Sequence, residues 1–190
     1  LPSSFQPDLA VIATPPAFRA QVIEQLPSLK GVLVEKPLSD NIESARSFVE
    51  ICEQRKIKAQ ANFWRRGDGT SRMLADGGLK SRIGHPQTAF GVYGNGFRNN
   101  AVHIIDYVRM MLGEITSVQA LGPPRLNNRL PIPGDVELPF SLTLKDDVQV
   151  SIHSIDFQFY RENGLEIWGE NGYASVLQEG WRFLSCPLQE

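Results

Sequence analysis

Cysteine is scarce in this sequence: 190 residues hold only Cys52 and Cys186. Two distant thiols cannot build a disulfide framework, and neither sits in a metal-ligand spacing. Cys52 falls inside a helical pattern, where a buried free thiol is expected. Charge of one sign is also lacking, with a formal net charge of −2 at pH 7. A chain so balanced offers no electrostatic basis for binding nucleic acid or an anionic membrane surface. No apolar run reaches the length of a membrane span, and no signal-peptide pattern is visible. A reducing cytoplasm is therefore the expected compartment. Glycine is plentiful, yet no G-x-G-x-x-G occurs. The nearest approach, Gly94-Asn95-Gly96, runs on into Phe-Arg-Asn and does not follow the first strand of a βαβ unit. A nucleophile elbow is missing as well.

What is present supports a real core, since 42% of residues are hydrophobic, enough for one large or two small domains. Residues 1–66 alternate strand and helix: strand 9–13, helix 17–26, strand 32–35, helix 41–55 and a strand from 57 to about 63. Asp40 and Glu43 form a capping-box pattern for the longer helix, with Ile42, Ala45, Phe48, Val49 and Cys52 as its apolar face. Such alternation predicts βαβ units and a parallel sheet. Next come a helix over 70–80, a strand over 86–93 and a helix over 99–112 stopped by Gly113. Residues 115–185 carry strands at 115–121, 136–144, 148–156, 165–168, 173–177 and 181–184. Lys145-Asp146-Asp147 turns one antiparallel hairpin, and its apolar face is a candidate subunit interface. Loop 122–135, with Pro123, Pro124, Pro131 and Pro133, is expected to be irregular. The fold class is α/β followed by α+β, with domains at 1–66 and 67–190.

Three constellations could carry chemistry. Glu35-Lys36-Pro37 follows a β-branched run, and ligands of open α/β sheets sit outside the carboxyl ends of strands. Proline restricts Lys36 to extended backbone, and a lysine there can hydrogen-bond a hydroxyl or carbonyl and tune a neighbouring acid–base group. An ordinary surface salt bridge is the plainer alternative. The second is Asn99, His103 and Asp106, which share one helical face; a carboxylate beside histidine can orient the ring. A surface histidine with a helical partner is the alternative there. With no third ligand in recognisable spacing, this is not a metal site. The third is Asn62-Phe63-Trp64-Arg65-Arg66, also at a strand end, where arginine could hold a carboxylate or phosphate or merely serve a charged linker. His85 and His153 are expected to be structural or exposed.

In this order the constellations resemble the Gfo/Idh/MocA family of nicotinamide-dependent oxidoreductases, from about Pro7 to Gly113 and more loosely beyond. Glu35-Lys36-Pro37 is similar to its E-K-P motif, Ala13-Thr14-Pro15-Pro16 to its preceding cofactor-contacting turn, and Asn99, His103 and Asp106 to its later motif. The resemblance implies a Rossmann-like parallel sheet followed by a domain with an open, mainly antiparallel sheet. It implies NAD or NADP as cofactor, and oxidation or reduction of a hydroxyl-bearing carbon in a sugar, nucleotide sugar or polyol. It also implies assembly of identical copies through the sheet face. Lys36 and His103 would be catalytic. Thr14, Pro15, Glu35 and Lys36 would contact cofactor, and Arg65, Asn99 and Asp106 would bind substrate. The family's glycine-rich phosphate turn is expected ahead of Leu1, so the chain lacks the first part of that Rossmann domain. A non-catalytic assembly or ligand-binding module is the rival expectation.

Overall fold

The runs at 9–12, of which Ile12 alone is buried, and 31–34 extend because a pleated surface suits their stiff Val and Ile side chains. In the computed structural model, which describes residues 4–188, they form strands β1 (Leu9–Ile12) and β2 (Gly31–Val34), with β3 at Lys58–Ala61. The three pair in parallel in the order β1-β2-β3. A short 3-10 turn and helix α1 (Arg19–Gln25) link the first two, and α2 (Ile42–Gln54) links the second and third. Ile12, Ile23, Leu26, Val32, Val34, Phe48 and Cys52 make the core between sheet and helices. On the opposite face Leu9, Val11 and Leu33 line an open apolar groove of about 470 Å³.

The helix cap is Asn41 and not Asp40: its side chain accepts the Ser44 N–H at 2.8 Å. The inner face of the helix is also narrower than the one expected. Phe48 and Cys52 are buried, whereas Ile42 and Val49 are exposed.

The chain divides into two compact units, Leu1–Phe63 and Trp64–Glu190. In the second, the expected helix over 70–80 is two short ones, α3 (Gly69–Met73) and α4 (Leu79–Ile83). A π turn between them breaks at Gly77, whose φ of 107° no helix accommodates. Strand β4 (Pro86–Tyr93) follows, then α5 (Val102–Leu112), ended by Gly113 at φ 108°. Strands β5 (Ile115–Ala120), β6 (Arg125–Leu126), β7 (Val136–Glu137), β8 (Phe140–Leu144), β9 (Gln149–Ser154), β10 (Gly164–Gly169), β11 (Gly172–Leu177) and β12 (Arg182–Pro187) complete it. The seven-stranded sheet runs β12-β11-β10-β4-β9-β8-β5. All its neighbours are antiparallel except β4 and β9, which are parallel.

Two expectations are corrected here. The strand expected over 136–144 is interrupted at Leu138-Pro139, because proline cannot supply a ladder N–H. Its first part pairs with β6, which lies inside the loop expected to be irregular. The apolar face of the 136–156 hairpin is not outward: Phe140, Leu142, Leu144, Val150 and Ile152 lie in the core with Ile104, Tyr107 and Val108 of α5.

Truncating Phe48, 2% exposed, to alanine is expected to cost about 3–5 kcal/mol of stability in the first unit. Ile42→Ala, at an exposed position, should cost no more than about 0.5 kcal/mol. Urea unfolding checks both, and equal losses would mean that α2 presents a different face.

Candidate active site

Strand β1 stops at Ile12 and β2 at Val34, so Thr14-Pro15 and Glu35-Lys36 occupy neighbouring carboxyl ends. The ladder continues one step further, with the Glu35 N–H donating to the Ile12 carbonyl at 2.9 Å. Beyond that point the carbonyls turn away from the sheet and need other partners. Arg19, the first residue of α1 and 3% exposed, supplies them. Its Nε donates to the Thr14 carbonyl at 3.0 Å, and its Nη1 donates to the carbonyls of Glu35 and Pro37. The Lys36–Pro37 peptide is cis. Asn62, just past β3, donates from Nδ2 to Glu35 Oε1 at 2.6 Å. Arg19 and Asn62 thus hold the backbone and one side chain around Lys36. Sequence reading gave neither that role.

Lys36 is half-buried. Burial pushes its ammonium below the ordinary lysine value; the Glu35 charge opposes that shift and Arg19 reinforces it. Thr14 Oγ1 is buried and has no hydrogen-bond partner. A buried orphan hydroxyl at the carboxyl end of β1 is a group a ligand would satisfy, and it suits the amide or ribose hydroxyls of a nicotinamide nucleotide. The glycine-rich pyrophosphate turn such a ligand also uses is not among these 190 residues.

In the second unit the candidate residues follow the end of β4. Tyr93, fully buried, donates from its hydroxyl to the Leu138 carbonyl and accepts the Leu138 N–H, both at 2.9 Å. Burial chiefly pushes that phenol up to about 12, so it stays protonated and keeps donating. The next residues turn sharply, with Asn95 at φ 66° and Gly96 at φ 98°. A π turn over Phe97–Ala101 then leads into α5. Asn99 donates from Nδ2 to the Asn95 carbonyl, and Asn100 from Nδ2 to that of Gly94, each at 2.9 Å. The backbone N–H groups of Arg98 and Asn99 are received by the carboxylate of Asp135, a residue with no local sequence signal.

His103 is half-buried, one turn beyond Asn99. Asp106 is turned to Arg66, whose Nε donates to both its oxygens at 2.8 and 3.0 Å. Arg65, expected to hold substrate, is buried; it lies 4.7 Å from the Trp64 ring centroid and donates to the Glu179 carbonyl. Its guanidinium is thus spent inside the unit. Trp64 stacks in turn on Trp181 at 5.0 Å. Lys36, Thr14, Pro15 and Glu35 belong to the first unit, and Arg65, Asn99, His103 and Asp106 to the second. His85 and His153 are exposed. Among the described residues, no group of three or more His, Cys, Asp or Glu side chains could hold a metal ion.

Comparison with known families matches residues 1–63 to the oxidoreductase family with an NAD-binding Rossmann fold, and residues 54–175 to the GFO/IDH/MocA C-terminal domain. The chain belongs to the GFO/IDH/MocA family. It is 29% identical over 173 residues to inositol 2-dehydrogenase 3 of Saccharopolyspora erythraea, covering 83% of this chain and 50% of that one. The chain therefore spans about half the length of that curated relative. Its fold is shared with the WlbA dehydrogenase of Chromobacterium violaceum, solved with NADH and UDP-GlcNAcA. The TM-score is 0.76 at 17% identity, over 98% of this chain and 60% of that one. A putative myo-inositol dehydrogenase of Sinorhizobium meliloti gives a TM-score of 0.71 at 21% identity, over 96% and 64%.

A lysine whose folded value is lowered loses its proton earlier than it does in the unfolded chain. Between that lowered value and the ordinary 10.5 the unfolded state holds more protons, so stability should rise with pH over that interval. Lys36→Met should abolish this rise. Unfolding free energies of parent and variant, compared as pH is raised towards 10.5, check it; a constant difference would show an ordinary lysine.

Proposed function

We propose that this chain is part of an NAD(P)-dependent dehydrogenase that moves a hydride to or from a hydroxyl-bearing carbon of a polyol, sugar or nucleotide sugar. One observation carries the reading. In a family of NAD-binding oxidoreductases, a half-buried lysine of lowered proton affinity stands at the carboxyl end of β2, and the turn at the neighbouring carboxyl end of β1 holds a buried, unpartnered threonine hydroxyl. Thr14, Pro15 and Glu35 would line the nicotinamide and its ribose. When bound, the nicotinamide supplies the hydride acceptor or donor. Lys36 donates a hydrogen bond to the reacting oxygen and stabilises the charge that develops there as its proton leaves. His103 takes that proton in oxidation and returns it in reduction. Asn99 holds a second substrate hydroxyl. Arg65 and Asp106 play a supporting part, since their charges are engaged by Glu179 and Arg66. The inositol dehydrogenases among the relatives favour a polyol. Assembly of copies through the outer sheet face belongs to the same reading. That face carries Phe90 and Trp168, each about half exposed.

In the protein that carries this chain, Lys36→Met is expected to lower kcat on myo-inositol, or on whichever polyol or sugar it turns over, by about 100- to 10,000-fold. NADH affinity, read by fluorescence titration, should change little. Undiminished turnover would remove Lys36 from the mechanism.

A further inference from the structure

The π turn that opens the His103 helix begins with N–H groups that have no partner in the turn itself. They are satisfied from far along the chain. The Asp135 side chain is 0% exposed. Its carboxylate accepts the N–H of Arg98 at 2.9 Å, of Asn99 at 3.0 Å and of Val136 at 2.8 Å. Arg98 also turns its guanidinium back, with Nε 3.6 Å from that carboxylate and Nη2 donating to the Pro133 carbonyl at 3.0 Å. Every contact but the guanidinium's is a hydrogen bond to a charged group, the stronger class. Gly96 makes the approach possible. A Cβ there would lie 2.3 Å from Asp135 Oδ2, on a backbone at φ 98° that side chains rarely adopt.

We infer that Asp135, with Gly96 beside it, is the positioning residue that sets the register of Asn99 and His103, a role that rests on the dehydrogenase reading above. The carboxylate grips Asn99 by its own N–H, and Asn99 is held a second time through its amide on the Asn95 carbonyl. Ala101 and Ile104, both buried, fix the roll of the helix. His103 lies between them, four residues beyond Asn99, so the grip on Asn99 and these core anchors together set where the two side chains stand relative to each other. The loop that supplies Asp135 is therefore a latch on the site-bearing helix.

Asp135→Asn separates this role from plain stabilisation. The variant keeps an oxygen for the N–H groups of Arg98 and Val136, but sets an amide nitrogen against the N–H of Asn99. In the protein that carries this chain, KM for the polyol is expected to rise about tenfold or more, the loss of one charge-assisted hydrogen bond. NADH affinity should stay at the parental value, and amide hydrogen exchange over residues 98–103 should quicken. Gly96→Ala, which displaces the same carboxylate from the other side, should give the same changes. The double variant should be little worse than the worse single one. Arg98→Gln alters only a half-exposed side chain, so it is expected to fold and to show a smaller rise in KM.

Parental KM and kcat in the folded variants would overturn the latch, even with a lowered Tm, because a purely structural cap would produce that. If Lys36→Met abolishes turnover while these variants leave it unchanged, the latch alone fails. No turnover in the parent protein would overturn the dehydrogenase reading, and the latch with it.

Discussion

Backbone groups that leave a sheet or enter a helix inside a protein must find partners, and in each unit the candidate residues are organised by one buried charge that provides them. In the first unit the charge is positive. Arg19 gathers the carbonyls of Thr14, Glu35 and Pro37, the acceptors released where β1 and β2 end. In the second it is negative. Asp135 gathers the N–H groups of Arg98, Asn99 and Val136, the donors released where a helix begins. A guanidinium presents several fixed donors and a carboxylate presents only acceptors, so each suits the backbone end it serves. Removing either would leave several desolvated groups unpaired, a far larger loss than that of one surface contact.

These two charges explain how the candidate residues can stand on turns without the turns being loose. Lys36 lies between two carbonyls held by the same arginine. Asn99 is itself one of the residues that Asp135 grips. Sites placed on loops are usually less well defined than sites on strands or helices. Here the turns are tied to rigid parts: to α1 through Arg19, and to the β7–β8 stretch through Tyr93, whose hydroxyl bridges both polar backbone groups of Leu138.

Much of this was legible in the sequence, and the failures share a cause. Hydrophobic period placed β1, β2, β4 and the hairpin of β8 and β9, because burial of alternate residues is a local pattern. The motif at Glu35–Pro37 and the face formed by Asn99, His103 and Asp106 pointed to the family that the domain matches show. The misplacements came where two local signals competed. Asp40 and Asn41 are both good caps, and the local pattern does not say which of them accepts the first free N–H of α2. Gly77 and the Leu138-Pro139 pair break elements that the apolar pattern alone continues. The hairpin's apolar face was legible, but whether it met a helix layer or another copy was not.

By itself the sequence determined the class of each half, the positions of the strand ends and the residue types available there, because these follow from short-range spacing and backbone preference. Only the tertiary structure decided what each charged group does. Arg65 and Arg66 are neighbours in sequence, yet one is buried under Trp64 and donates to Glu179 while the other pairs with Asp106. Arg19 and Asp135 look like ordinary surface charges in the sequence and become the buried anchors of two turns, one in each unit. A charge finds its partner through space, across any length of chain, and composition and periodicity hold no record of that distance.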